Sequence, residues 1–149
     1  MQTAKGRDAE NTGKEGVSEN EETLAMLNAE NAWKVTPINL AMMKNRRTCV
    51  KHLLNQEGVI VNCRDDNGRS LLSLALTQLD TTTEELVNKI ISLGADPNLK
   101  DFEDQTAFHH LAKFYELNRT HEIFKKENRD DTDQRIGRIA LTLLNAGAN

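Results

Sequence analysis

His109, His110 and His121 are the one cluster in this chain that invites chemistry, since imidazole can ligate a metal or move a proton near neutral pH. Adjacent histidines point to different faces of a helix, however. Their spacing also lacks the paired-ligand helical pattern, with a general base beside it, that metalloproteases use. Cys49 and Cys63 offer no close pair for zinc, and neither has an evident base and orienting group for nucleophilic attack. The glycines form no Gly-x-Gly-x-x-Gly run, and no phosphate-binding Lys-Ser/Thr follows them. These residues predict a chain that binds rather than reacts: no catalytic residue, no metal and no cofactor.

What positions these residues is a phrase written three times. Thr36-Pro37-Ile38-Asn39-Leu40-Ala41, Ser70-Leu71-Leu72-Ser73-Leu74-Ala75 and Thr106-Ala107-Phe108-His109-His110-Leu111 follow one another at intervals of 34 and 36 residues. Each precedes a helical run that closes on Gly58-Val59-Ile60-Val61-Asn62, Gly94-Ala95-Asp96-Pro97-Asn98 or Gly147-Ala148-Asn149. Such a period marks a stacked solenoid, in which no unit buries its apolar face alone. Thr36 before Pro37 suits a helix N-cap with proline in the first turn, where the missing N–H costs nothing. Ile38, Leu40, Ala41 and Met42 give one apolar stretch, and Cys49, Val50, Leu53 and Leu54 a second at spacings of three and four. Two short helices per unit are therefore predicted. Ala41 and Ala75 allow close helix approach, and Leu111 breaks that rule unless Ala112 absorbs the difference by a local shift. The closing glycines can end helices, and the carboxamides of Asn62 and Asn98 are expected to bond nearby backbone in a turn.

The phrases resemble the ankyrin repeat, whose pattern runs Asp, two variable residues, Gly, then Thr-Pro-Leu-His and Ala, an apolar pair and a closing Gly-Ala-Asp-Val-Asn. Residues 32–149 carry the resemblance. It is strongest in the middle unit, which opens with Asp65-Asp66-Asn67-Gly68 and closes with Ile90-Ile91-Ser92-Leu93-Gly94-Ala95-Asp96. Lys34 and Asp104 stand where the family has its hairpin glycine. The resemblance implies an all-α fold: an ankyrin-repeat solenoid of stacked helix pairs joined by β-hairpin-like turns, with repeats near 32–65, 66–101 and 102–149. It also puts His109 at the family's histidine, whose ring braces neighbouring hairpins, so a packed core residue is expected there.

Composition narrows the function. The 149 residues leave room for about three to four repeats with flanks, and 4% aromatic content suits a thin stack held by Leu, Ile, Ala and Val. A net charge of −4 gives no reason to attract nucleic acid or an anionic membrane, so proteins or peptides are the expected partners. No apolar stretch has the length of a spanning helix, and Met1 to Glu22 is too polar for a secretory leader. Cys49 falls on an apolar helix face and Cys63 near a hairpin tip, as free thiols of a reducing compartment, cytoplasm or nucleus.

Residues 1–22 are predicted to be a disordered polar segment, and Leu24, Ala25, Met26 and Leu27 a short helix covering the first unit. In the middle unit Thr81 with Glu84, or Thr82 with Glu85, has the spacing of a capping box. The third unit takes 41 residues from Thr106 to Gly147 against 24 from Ser70 to Gly94, an insertion falling at about 115–135. Within it Thr120 to Lys126 is read as an extra helical turn or two, Glu127 to Asp131 as a polar loop and Thr132 as the cap of the last helix. Leu143 or Leu144 then faces a further repeat of a longer parent chain; the alternative is a monomer of these units alone.

In the ankyrin family the concave surface is formed by inner helices and hairpin tips. The resemblance therefore implies a protein-protein interaction module that binds a protein or peptide there. Counting from the repeated phrase gives Leu40, Met43 and Lys44, then Leu74, Thr77 and Gln78, then His110, Lys113 and Phe114. The tips add Arg64, Asp65, Asp66 and Asn67, with Lys100, Asp101, Phe102, Glu103 and Asp104 in the third unit. Phe102 stands out, because an aromatic ring between two acids at a tip is costly to leave wet and rewarding to bury in a partner. The alternative is a ring folded back on its own helix pair. Trp33 is expected to cover the first unit against Leu24 to Leu27, with ligand anchoring as the alternative. The resemblance further makes Asn98 a candidate for hydroxylation by a 2-oxoglutarate oxygenase, with Pro97 replacing the usual valine. Two other roles fit the same residues: the substrate-targeting arm of a larger enzyme, or a structural spacer.

Overall fold

The structure, a computed structural model, describes residues 19–120 and 129–148. A short helix α1 (Glu19–Leu27) leads into three helix pairs: α2 (Pro37–Met43) with α3 (Arg47–Leu54), α4 (Leu71–Leu76) with α5 (Thr83–Ser92), and α6 (Ala107–Thr120) with α7 (Arg129–Asn145). The inner helices α2, α4 and α6 pack in series, and so do the outer helices α3, α5 and α7. The described residues contain no strand, only an isolated antiparallel bridge between Arg64 and Ser70. The solenoid of helix pairs is the fold that the repeated phrase predicts.

Each pair is introduced by the same hairpin turn, set by one side chain. Asn31 Oδ1 accepts from the backbone N–H groups of Trp33 and Val35 at 2.9 and 3.1 Å. Asp65 Oδ1 does the same for Asn67 and Arg69, and Asp101 Oδ1 for Glu103 and Gln105, at 2.8 to 3.0 Å. A side chain bonding its own backbone two and four residues on fixes a turn without a sheet. The fourth residue of each turn must then take a left-handed backbone: Lys34 at φ 62°, Gly68 at φ 75° and Asp104 at φ 61°. Lysine and aspartate thus adopt the hairpin conformation that glycine takes in the middle unit, at a cost of about 1–2 kcal/mol each. The three fingers share one shape.

Successive units are tied by a ladder of asparagines placed three residues before each turn. Asn28 Nδ2 donates to the Gly58 carbonyl at 2.9 Å while its Oδ1 accepts from Ile60 N–H at 2.9 Å. Asn62 repeats this one unit on, with Gly94 O at 3.1 Å and Asp96 N–H at 2.8 Å, and Asn98 donates to Gly147 O at 2.8 Å. The carboxamide of Asn62 thus bonds the next unit, and not the nearby turn expected from sequence, and that of Asn98 also reaches the next unit. On the outer layer Arg47 reaches Asp80 at 3.3 Å and the Gln78 carbonyl, Lys51 meets Glu85 at 3.0 Å, and Glu84 meets Arg138 at 2.9 Å.

The core runs through the stack, and all six residues of α4 are buried because helices flank it on both sides. Leu111 needs no local shift: it is buried itself and Ala112 is exposed. The third unit exchanges the order of large and small found in α4, with Ala107 in the place of Leu71 and Leu111 in the place of Ala75. Volume-conserving exchanges of this kind are well tolerated. Thr36 and Ser70 cap α2 and α4 by accepting from Asn39 and Ser73 N–H.

Several local expectations are corrected. Thr82 makes no side-chain capping bond; Asp80 Oδ1 accepts from its N–H and hydroxyl at 2.8 and 2.7 Å, and Thr83 Oγ1 accepts from Asp80 N–H at 2.9 Å. Burial opposes ionisation of Asp80, but Thr82, Arg47 and Thr83 together hold its carboxyl below the usual range. The polar segment predicted to be disordered reaches Glu22, yet Glu19 to Glu22 belong to α1; residues 1–18 lie outside the described residues. Thr132 and the loop residues Arg129 to Asp131 lie inside α7. His121 to Lys126, with Glu127 and Asn128, are outside the described residues.

Cys49 is exposed, because its helix buries Val50 and Leu54 and turns Cys49 outward. Cys63 is buried between units, where its thiol lies 3.4 Å from both Thr36 Oγ1 and Asn39 Oδ1. Burial pushes that thiol's pKa up. Among the described residues no helix is long and apolar enough to cross a membrane.

Candidate functional site: a groove on the inner face

Among the described residues, the insertion of the third unit lengthens both of its helices. The phrase Ser70 to Ala75 opens an α4 of 6 residues, while the corresponding phrase opens an α6 of 14. The added turns carry Lys113, Phe114 and Leu117 past the point where α4 ends. Together with His110 these positions follow the i, i+3, i+4, i+7 spacing of one helix face.

That face and the third hairpin enclose a groove of 430 Å³ with the edge of the middle unit. Phe102, Phe114 and Leu117 supply its apolar walls, and Arg69, Lys113, Asp101, Glu103 and His110 its charged or titratable groups. Phe102 is 75% exposed, yet its placement is fixed. Its N–H donates to the Asn67 carbonyl at 3.1 Å, and its ring lies so close to Gly68 that a Cβ there would meet ring carbon Cδ1 at 2.7 Å. The ring leaves most of its surface to solvent and does not fold back on its own helix pair. It stands on the preceding finger.

Beneath it, Asp101 joins finger to helix. One carboxylate oxygen accepts the two turn amides, and the other lies 2.8 Å from His110 Nε2. Burial raises the cost of ionising Asp101, but Gln105 and Glu103 N–H and His110 outweigh it and hold its carboxyl below the usual range. The equivalent Asp65 instead takes Nε and an η nitrogen of Arg69 at 2.8 and 2.7 Å.

Of the residues expected on the binding face, Asn67, Thr77, Asp101, Phe102, Glu103, His110, Lys113 and Phe114 line this groove. His110 is a correction to an exposed contact residue: it is buried, its ring held by Asp101. Leu74 is likewise buried, since α4 has neighbours on both sides. Met43 is half-buried and packs on the core, and Thr77 spends its hydroxyl on the Leu74 carbonyl at 2.7 Å. Lys44, Arg64, Asp66 and Gln78 are exposed outside the groove.

Sequence reasoning missed Arg69, Gln105 and Leu117 as groove residues. The helical spacing of Phe114 and Leu117 was the available signal for the last of these. Trp33 is 70% exposed at the first finger tip and does not cover Leu24 to Leu27, because the turn around Asn31 holds it outward. His109 is also exposed: its Nδ1 accepts from Thr106 N–H at 3.1 Å, capping its own helix instead of bracing a neighbour. Asn98 sits in the interunit ladder, so an oxygenase would first have to break its bond to Gly147. Among the described residues no group of three His, Cys, Asp or Glu side chains could hold a metal ion.

The family model for ankyrin repeats in three copies matches residues 12–101, more than half of the chain. The chain is 32% identical, over 91 residues, to the poly(ADP-ribose) polymerase tankyrase of Caenorhabditis elegans. That alignment takes in 56% of this chain but 4% of the relative, so the shared part is a small piece of that enzyme. A crystal structure of an ankyrin repeat domain from Acinetobacter baumannii has the same fold, with a TM-score of 0.62 at 23% identity over 85% of this chain and 57% of that one. Repeats of this kind serve generally in protein-protein interaction. On the repeated phrase, the shared finger geometry and the family match, the chain belongs to the ankyrin repeat family.

Proposed function

We propose that this chain is an interaction module that seats a protein or peptide segment in the groove between the third finger and α6. One observation carries the reading: an exposed aromatic ring, an aliphatic and aromatic pair on α6 and a set of charged groups converge on a single concavity. Central, well-walled apolar anchors ringed by polar groups are where binding energy concentrates. The module acts as a monomer or as part of a longer chain, without a cofactor. The free thiols of Cys49 and Cys63 support a reducing compartment, cytoplasm or nucleus. Affinity capture from cell lysate tests the reading, comparing the intact chain with Phe102→Ala, Lys113→Ala and Phe114→Ala combined. With both proteins equally helical by circular dichroism, the triple variant should lose specific partners at least tenfold. Identical captures would remove the groove from recognition and favour a structural spacer.

The tankyrase alignment favours a second reading, in which the same groove selects substrates for a larger enzyme. Proteins retained by the groove would then be substrates of the parent protein, and the triple variant within that parent would leave them unmodified.

A further inference from the structure

Resting on the groove as the binding surface, we infer that its ligand is a peptide segment carrying a large apolar side chain next to an aspartate or glutamate. The apolar part follows from the walls. Phe102 and Leu117 are 75% and 55% exposed, Phe114 lies half-buried between finger and helix, and all three line one concavity. An apolar side chain entering there removes all three surfaces from water at once.

The acidic part follows from how the groove's charges are already committed. Asp101 gives one oxygen to two backbone amides and the other to His110. Glu103 accepts from Gln105 Nε2 at 2.9 Å. Arg69 gives Nε and one η nitrogen to buried Asp65, leaving its second η nitrogen for a ligand. Lys113 is exposed and makes no ion pair among the described residues. An arriving carboxylate thus meets an unpaired ammonium and a spare guanidinium donor, whereas an arriving cation finds both oxygens of Asp101 engaged and only Oε1 of exposed Glu103 open to it. Such complementarity sets the orientation of a segment more than its total affinity. A nucleic acid or an anionic membrane fits poorly, because Asp101 and Glu103 in the groove and Asp66 at the neighbouring tip repel a dense run of phosphates.

The test is selection of random peptides displayed on phage against the folded chain, run in parallel on Lys113→Glu. Lys113 is exposed, so the variant should match the parent in circular dichroism and melting temperature. The expected result is enrichment of a large apolar residue beside Asp or Glu, with Lys or Arg replacing the acid in peptides selected on Lys113→Glu. The peptides selected on the parent should bind Lys113→Glu at least tenfold more weakly. Peptides that lose binding with Phe114→Ala yet show no acidic preference would overturn this inference and leave the groove standing. Peptides that bind Phe114→Ala and Lys113→Glu as tightly as the parent would overturn the groove itself, and a selection that enriches nothing would count against both.

Discussion

Leu76→Ala should destabilise the folded chain by about 2–5 kcal/mol, the cost of removing a large aliphatic side chain from a site that cannot collapse. Leu76 is fully buried at the end of α4, the helix that packs on α2, α5 and α6. The helix that carries it packs on elements of all three units, so loss should not stay local. The stability of a domain this size is of the order of 5–15 kcal/mol, and the substitution removes a large part of it. Urea unfolding followed by circular dichroism should show the midpoint moving down sharply with one transition retained, since no unit buries its apolar face alone. Leu117→Ala is the control: it stands on the groove wall, half exposed, and should change stability far less. Equal losses for the two would contradict the packing described for α4.

Asn62→Ala should cost about 1–2 kcal/mol, although it removes little apolar area. Its carboxamide satisfies the Gly94 carbonyl and the Asp96 N–H in the next unit. Truncation leaves one backbone acceptor and one donor to find water, and leaving such groups unpaired is what makes lost hydrogen bonds expensive. The site is exposed enough for water to return, which keeps the figure below that of a fully buried pair. Asn62→Asp separates the two bonds: it keeps the acceptor for Asp96 N–H but turns a carboxylate toward the Gly94 carbonyl. It should therefore be no better than alanine at neutral pH. A neutral Asn62→Ala would mean that the ladder follows from stacking and does not help to hold it.

The repeated phrase made the fold legible because its signals are local and agree with one another. Thr36 and Ser70 cap where a hydroxyl before an apolar run should cap, and the apolar spacing distinguishes two helices per unit. The fingers were legible in position but not in tolerance. Lys34 and Asp104 adopt a left-handed backbone because the amide bonds around Asn31 and Asp101 over-determine the turn. What the sequence could not reveal depends on contacts between units. Whether Asn62 bonds its own turn or the next one is a matter of stacking distance. His109 and His110 differ by one residue, and the partner that decides their fates, Asp101 for His110, lies in another element.

The insertion hid for a different reason. The polar residues Glu127 to Asp131 look like a loop by composition, yet Arg129 to Asp131 open α7, where acidic side chains favour a helix N-terminus. The groove therefore escaped in part: counting from the repeated phrase and its hairpin tips reached Thr77, Phe102, His110, Lys113 and Phe114, and stopped short of Leu117 one turn further along α6. Arg69 was passed over because its position reads as a turn residue, and only the bond to Asp65 shows how it is held at the groove edge.

The most direct test of the account is chemical-shift mapping on the isotope-labelled chain, titrated with a peptide from the display selection. The groove predicts that the largest amide shifts fall on Asn67, Arg69, Phe102 to Gln105 and His110 to Leu117, with α3 and α5 nearly silent. Shifts concentrated on the outer helices, or spread evenly with none at Phe102 and Lys113, would contradict it.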